Sequence, residues 1–237
     1  NTPIYVVLNE AQDESIEFLK SKNIRYVPLK ENLGTCAVDL VTPWVDTEFI
    51  VTINDDDFMC SGWQTDLLKW VRSKYFPCAV AVRNIEPIQT FNHKTIYDEI
   101  YSYSNILDEN LRNFFLKKAL SGEYKREPVK GYMHPMIYPT IAWKNVGGYS
   151  CGLPYDHFGK AGYAADDYFN YKLWRYYEEE LVFIVSGESY CYHQVSFTTN
   201  KLPKEVKNID VDSKFIELTG FSTHQFKQLI DGDKELK

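Results

Sequence analysis

A short apolar strand that ends in three consecutive aspartates is the feature that most limits what this chain can fold into. Residues 49–53 are rich in β-branched and aromatic side chains, as in a buried strand, and Asp55, Asp56 and Asp57 follow. Three adjacent carboxylates repel one another and cannot all be buried without a counter-charge. At the end of a core strand of an open α/β sheet, they fall where ligands bind. Oxygen ligands there suit Mg²⁺ or Mn²⁺ carrying substrate phosphates; a solvated acidic turn is the alternative.

Length and charge limit the class of protein further. The 237 residues are enough for one large domain with a full core, or for two small ones. The net charge of -7 argues against a protein that grips nucleic acid by a general basic surface, although it leaves a local basic groove open. The charge therefore disfavours nucleic acid as a partner without excluding it.

Cysteine usage and hydropathy predict the cellular setting. The cysteine count is odd and no pair has Cys-x-x-Cys spacing, which favours reduced core residues over a disulfide framework or a zinc site. No apolar run is long enough to span a membrane and no signal peptide is visible. We therefore expect a cytoplasmic protein without a transmembrane segment.

The first ninety residues alternate between strand and helix patterns. The predicted strands cover 4–8, 24–27, 48–53 and 78–82, and the predicted helices cover 13–20, 32–43 and 63–75. Alternation at this spacing indicates βαβ units and a parallel sheet.

The alternation stops after about residue 90. We predict a long amphipathic helix over 95–119, an edge strand over 136–143, a helix over 165–178, two strands over 181–185 and 189–193, and small helices beyond 200. A glycine-rich loop, 147–162, precedes the helix at 165. Because its polar face carries both signs of charge, we expect the helix over 95–119 to lie over the core.

Four motifs, taken in order, resemble the GT-A glycosyltransferases, and more closely the family 2 type. They are Asn9-Glu10 after the first strand, Asn32-Leu33-Gly34, the aspartate strand ending at Asp57, and Gly147-Gly148-Tyr149 followed by Asp166-Asp167. The resemblance covers residues 4–195. It departs from the family at Ala37-Val38-Asp39, where the family often has Ala-Arg-Asn, and at Asp166, where the family has Glu.

The resemblance implies a fold and a domain organisation. The expected fold is α/β of the GT-A type, with one mixed, mainly parallel sheet and helices on both faces. A single domain, 1–237, would contain a nucleotide-sugar-binding half at 1–90, an acceptor-binding half at 91–200 and a C-terminal helical extension at 201–237.

The resemblance also implies an activity. The expected protein is a metal-dependent, inverting glycosyltransferase that uses Mn²⁺ or Mg²⁺ and a UDP- or GDP-sugar, with a glycan or another hydroxyl compound as acceptor. Two alternatives remain. A nucleotidyltransferase also holds Mg²⁺ with carboxylates, but it would want a basic glycine-rich loop where Asn9-Glu10-Ala11-Gln12 stands. A catalytically inactive GT-A module that binds carbohydrate or assembles with other proteins is the other alternative.

Roles for individual residues follow from the resemblance. The metal ligands would be Asp57, Asp55 and His193, with Asp55 reaching either the ribose or the metal. The nucleotide-sugar site would include Asn9, Glu10, Asn32, Asp39, Asp55 and Asp56.

Two further assignments concern aspartates, one from side-chain direction and one from the resemblance. Along an extended chain Asp55 and Asp57 share one side, whereas Asp56 points to the other, which favours a structural hydrogen bond for it. By the same resemblance, Asp167 would be the catalytic base that deprotonates the acceptor hydroxyl, with Asp166 beside it in acceptor binding. A helix cap with a first-turn acid is the alternative for this pair.

Overall fold

In the computed structural model the chain divides into two compact units. Asn1–Ile50, Thr140–Glu179 and Pro203–Phe226 form the first unit, and Val51–Pro139, Glu180–Leu202 and Lys227–Lys237 form the second. The structure describes residues 2–72, 77–86, 94, 96–97, 109–154, 157, 165–193 and 211–232.

The first unit contains a βαβ motif and a group of helices. Its elements are β1 (Tyr5–Leu8), α1 (Asp13–Ser21), β2 (Arg25–Pro28), 3₁₀ helices at Gly34–Leu40 and Thr42–Trp44, α4 (Thr140–Val146), α5 (Ala165–Tyr176), α6 (Val211–Thr219) and the start of α7 (Thr223–Asp231). β1 and β2 pair in parallel as a separate two-stranded sheet, which confirms the predicted βαβ connection. Buried aromatic rings fill the helical part, among them Trp143, whose ring centroid lies 4.4 Å from that of Phe169.

The second unit is built on a seven-stranded sheet flanked by helices. Its elements are the end of β3 (Phe49–Thr52), β4 (Asp57–Met59), α2 (Trp63–Val71), β5 (Cys78–Glu86), β6 (Ile96–Tyr97), α3 (Glu109–Ser121), β7 (Val129–Lys130), β8 (Met136–Pro139) and β9 (Val182–His193). The strand order is β3-β8-β5-β9-β4, with β6 paired to β5 and β7 paired to β9. All nine residues of β5 are buried, so this strand lies at the centre of the core.

The sheet is mixed, and the expectation of a mainly parallel sheet is wrong. β5 pairs in parallel with β9 and β6, whereas β8 is antiparallel to β5, and β4 and β7 are antiparallel to β9. The βαβ alternation that predicted parallel pairing ends early in the chain. The strands that join the sheet later in the chain include β7 and β8, which pair antiparallel to β9 and β5.

Three predicted strands differ from the structure for identifiable reasons. The strand predicted at 136–143 ends at Pro139, which has no N–H for a ladder, and helix α4 begins at Thr140. The two strands predicted at 181–193 form the single strand β9, whose register against β5 shifts between Ala81 and Arg83. Gly187 lies in this irregular stretch and leaves room for the neighbouring backbone, because a Cβ atom there would lie 2.1 Å from the carbonyl oxygen of Arg126.

Two predicted helices differ as well. The helix predicted at 32–43 is a pair of tighter 3₁₀ segments, at Gly34–Leu40 and Thr42–Trp44. Of the helix predicted at 95–119, Ile96–Tyr97 is a strand, and the stretch from Glu109 is helix α3, Glu109–Ser121. Residues 98–108 lie outside the described part, so this stretch of the prediction stays untested.

The cysteines match the prediction from the sequence. All five are free thiols, and Cys36, Cys60, Cys78 and Cys191 are buried. Across the described segments, no helix has both the length and the apolar character that a membrane span needs.

Candidate metal centre

The aspartate motif and His193 meet across one pair of strands in the second unit. β4 begins at Asp57, and β9 ends at His193. The two strands are antiparallel, with Asp57 directly opposite His193 in the register. Side chains that are directly opposite in an antiparallel pair lie close together, so strand pairing alone places a carboxylate beside an imidazole.

Three side chains form a cluster with the composition of a metal site. One ligand atom from each of Asp56, Asp57 and His193 lies within 4.8 Å of the other two. Asp55 is exposed and is not part of this cluster. The predicted alternation, with Asp56 on the far side, does not hold, because Asp55 and Asp56 lie in a turn and the extended chain starts only at Asp57.

The carboxylate of Asp57 is oriented by its neighbours. Its Oδ2 accepts a hydrogen bond from the backbone N–H of Asn54, 3.1 Å away, which closes the acidic turn. On the other side its Oδ1 lies 3.9 Å from the Sγ of the buried Cys191. The same thiol donates its one S–H to Oδ1 of Asn84 at 3.0 Å, so Cys191 contacts Asp57 by packing and not by a hydrogen bond.

Glu86 holds the ring of His193. Its Oε1 lies 3.1 Å from Nδ1 of His193, whereas Nε2 of the same ring lies 3.8 Å from Oδ2 of Asp56. Glu86 is 6 % exposed and ends β5. Sequence reasoning missed it because the predicted strand stopped at residue 82, before the polar residues Arg83, Asn84 and Glu86. The available signal was the run Arg83-Asn84-Ile85-Glu86 directly after an apolar strand, because polar side chains at the carboxyl end of a core strand lie where ligands bind.

The electrostatics of the cluster favour a cation. Burial raises the pKa of Asp57 to about 6, opposed by the nearby His193, and burial also raises the pKa of Asp56. Burial by itself lowers the pKa of His193, but the hydrogen bond to Glu86 and the charges of Asp57 and Asp56 outweigh it and raise the pKa. Ionised carboxylates are therefore costly here without a counter-charge, and a divalent ion supplies one.

Asp39 has a local structural role in the first unit. Its Oδ1 accepts from the backbone N–H of Tyr149 at 3.0 Å, and its Oδ2 accepts from that of Ser150 at 2.8 Å. Burial raises the pKa of Asp39, and these N–H donors act in the opposite direction. The structure thus joins two of the sequence motifs, Ala37-Val38-Asp39 and Gly147-Gly148-Tyr149. A contact between Asp39 and a nucleotide stays a prediction.

The contact with Asp39 explains why a glycine stands at position 148, and it makes a testable prediction. Gly148 is buried with φ +65°, and a Cβ atom there would lie 2.1 Å from Oδ1 of Asp39. Gly152 has φ +78° but open space around its Cα. Gly148→Ala should therefore destabilise the protein by about 1–3 kcal/mol more than Gly152→Ala, since both carry the backbone strain and only the first adds the clash. Chemical denaturation of the two variants measures the difference, and equal losses would contradict this account.

Asn9 and Asn32 organise the turn that follows β2. Asn9 accepts from the backbone N–H of Leu33 and donates to the carbonyl of Gly34, both at 3.2 Å, and Asn32 accepts from the N–H of Gly34 at 2.7 Å. Glu10 follows with φ +54° and is exposed. The structure thus brings Asn9 and Asn32 to one turn, while their predicted contacts with a nucleotide sugar stay predictions.

Asp166 and Asp167 lie in the first turn of α5, where the sequence predicts a helix start. Asp167 is buried and Asp166 is half-buried. Acids in this position complement the helix dipole, so their placement agrees with both the structural and the catalytic interpretation.

Compared with known proteins, the chain matches no family model, and no curated protein sequence matches it.

Proposed function

We propose that the protein is a metal-dependent glycosyltransferase with a GT-A fold, which moves a sugar from a nucleoside-diphosphate sugar to a hydroxyl acceptor. The observation that carries the proposal is the cluster of Asp56, Asp57 and His193, whose ligand atoms lie within 4.8 Å of one another where the acidic motif meets the last strand. The order of the four sequence motifs supports the same function.

The donor set of the cluster fits a divalent cation. Carboxylate oxygens suit Mg²⁺ and Mn²⁺, and imidazole nitrogen suits transition metals, so two carboxylates with one histidine favour Mn²⁺ over Mg²⁺. When bound, such an ion neutralises the charge that develops on a diphosphate leaving group. Asp56, Asp57 and His193 would hold it, Glu86 would keep the ring of His193 in place, and Cys191 would pack against Asp57.

The remaining chemistry is assigned to side chains of the protein. Asp167 accepts the proton of the acceptor hydroxyl, and the oxygen attacks the anomeric carbon of the sugar. The bond from that carbon to the diphosphate breaks, and its electron pair leaves on the phosphate oxygen. A base is needed because a sugar hydroxyl is a poor nucleophile at neutral pH. Asp166, next to Asp167 in α5, is assigned to acceptor binding.

Thermal unfolding of the wild-type protein with a panel of nucleotide sugars tests the proposal. A ligand that binds only the folded state raises the midpoint of unfolding. We expect a UDP- or GDP-sugar to raise it only when Mn²⁺ is present, and slow hydrolysis of the same sugar nucleotide without an acceptor. Stabilisation by nucleoside triphosphates with no response to sugar nucleotides would point to nucleotidyl transfer. Metal-dependent binding without any hydrolysis or transfer would point to an inactive module.

A further inference from the structure

We infer that Glu86 positions His193, so that the ring presents Nε2 to the cation and keeps its proton on Nδ1. The motifs of the sequence assign no role to Glu86. The inference rests on the metal site of the proposed function, but it concerns a different residue and has its own readout.

The sheet brings Glu86 to this place through strand order. β9 lies between β5 and β4, and His193 is its last residue. On one side Ile85 of β5 is in register with Tyr192, which places the end of β5 beside the end of β9. On the other side Asp57 is in register with His193. The imidazole is thus flanked by acids from both neighbouring strands, with different chemistry at its two nitrogens.

The geometry assigns the tautomer. A neutral imidazole has one N–H and one lone pair, and an ionised carboxylate can only accept a hydrogen bond. With Oε1 of Glu86 at 3.1 Å, Nδ1 must carry the proton. Nε2 then keeps its lone pair on the side of Asp56, whose Oδ2 is 3.8 Å away. A metal ligand needs that lone pair, so the contact with Glu86 prepares the ring for binding.

Burial makes the carboxylate of Glu86 costly in free energy and also strengthens its hydrogen bond to His193. A carboxylate that is 6 % exposed is destabilising unless it is hydrogen-bonded to a donor. The Nδ1–H of His193 supplies a donor, and the low dielectric of the site strengthens the bond. The ring orientation is consequently fixed before any cation arrives.

Titration of the full chain with Mn²⁺, followed by calorimetry, tests the inference. Loss of an outer partner of a metal ligand weakens metal affinity by about 10- to 100-fold. We expect that range for Glu86→Leu, and a smaller loss for Glu86→Gln, whose amide oxygen still accepts from Nδ1. Glu188→Gln, at an exposed glutamate on the same strand β9, is the matched control and should bind like the wild type.

A spectroscopic readout separates positioning from a merely structural role. The wild-type protein is labelled with ¹⁵N-histidine, and the signal of His193 is identified as the one that is absent in His193→Asn. At a pH where the imidazole is neutral, this signal should report a proton on Nδ1. A proton on Nε2 would overturn the inference, whether or not Glu86→Leu folds. Wild-type Mn²⁺ affinity in a folded Glu86→Leu would also overturn it. If His193→Ala and Asp57→Ala bind Mn²⁺ normally, the metal site itself fails, which is a separate result.

Discussion

Asp57→Ala should lose Mn²⁺-dependent nucleotide binding and keep its fold. Asp57 is a member of the cluster, stands opposite His193 in the strand register and is oriented by Asn54 and Cys191. Because removal of an outer partner already costs about 10- to 100-fold in metal affinity, removal of a ligand should cost more than about a hundredfold. The fold should survive, since burial disfavours the ionised carboxylate and the lost hydrogen bond from Asn54 contributes only about 1 kcal/mol.

Calorimetry with UDP or GDP, in the presence and absence of Mn²⁺, measures this effect. Asp55→Ala is the control, because Asp55 is exposed and lies outside the cluster, so this variant should keep most of the metal dependence. Comparison of the variants Asp57→Ala and Asp55→Ala also decides between two assignments of the metal ligands. The sequence motif predicts Asp55 as a ligand, whereas the structure groups Asp56 with Asp57. Unchanged Mn²⁺ dependence in Asp57→Ala would remove the metal assignment.

Asp167→Asn should bind the sugar nucleotide normally and turn it over at least about a hundredfold more slowly. Asparagine keeps the size of the side chain but cannot take a proton, and a positioned base contributes about 10²- to 10⁴-fold to a rate. Since the base acts on the acceptor after the donor has bound, affinity for the donor should not change. Steady-state transfer to an acceptor, together with calorimetry of the donor, separates the two effects.

Asp166→Asn is the matched control for the base. It changes the neighbouring acid of the same helical turn, and Asp166 is half-buried where Asp167 is buried. A collapse of turnover in Asp166→Asn with near-normal turnover in Asp167→Asn would assign the base to Asp166. Little effect in either variant would indicate a retaining mechanism or a base elsewhere.

Local patterns predicted much of the secondary structure. The apolar runs gave β1, β2, β3 and the beginning of β5, and the helical periodicities gave α1, α2 and α5, with ends within a few residues of those observed. Asp57 and His193 were each proposed as metal ligands from separate stretches of the sequence. Their pairing depends on the antiparallel register of β4 and β9, which no local pattern encodes.

The differences between the predicted and the observed site have physical causes. Asp56 was set apart by assuming that an extended chain ran through the three aspartates, whereas a turn at residues 55–56 cancels the alternation. Glu86 was missed because the predicted strand stopped at residue 82, whereas β5 continues to Glu86, which is buried and bonded to His193. The ligand role of Asp39 stays a prediction, whereas its two backbone hydrogen bonds depend on the loop at residues 147–152, which no local pattern places beside it.

The most direct test of the central claim is a crystal grown with Mn²⁺ and a nucleoside diphosphate, with data recorded at the manganese absorption edge. The account predicts one strong anomalous peak within bonding distance of a carboxylate oxygen of Asp57 and of Nε2 of His193, with the diphosphate on its open side. A peak bound to Nδ1 of His193, a peak away from Asp56, Asp57 and His193, or nucleotide bound without any anomalous signal would contradict it.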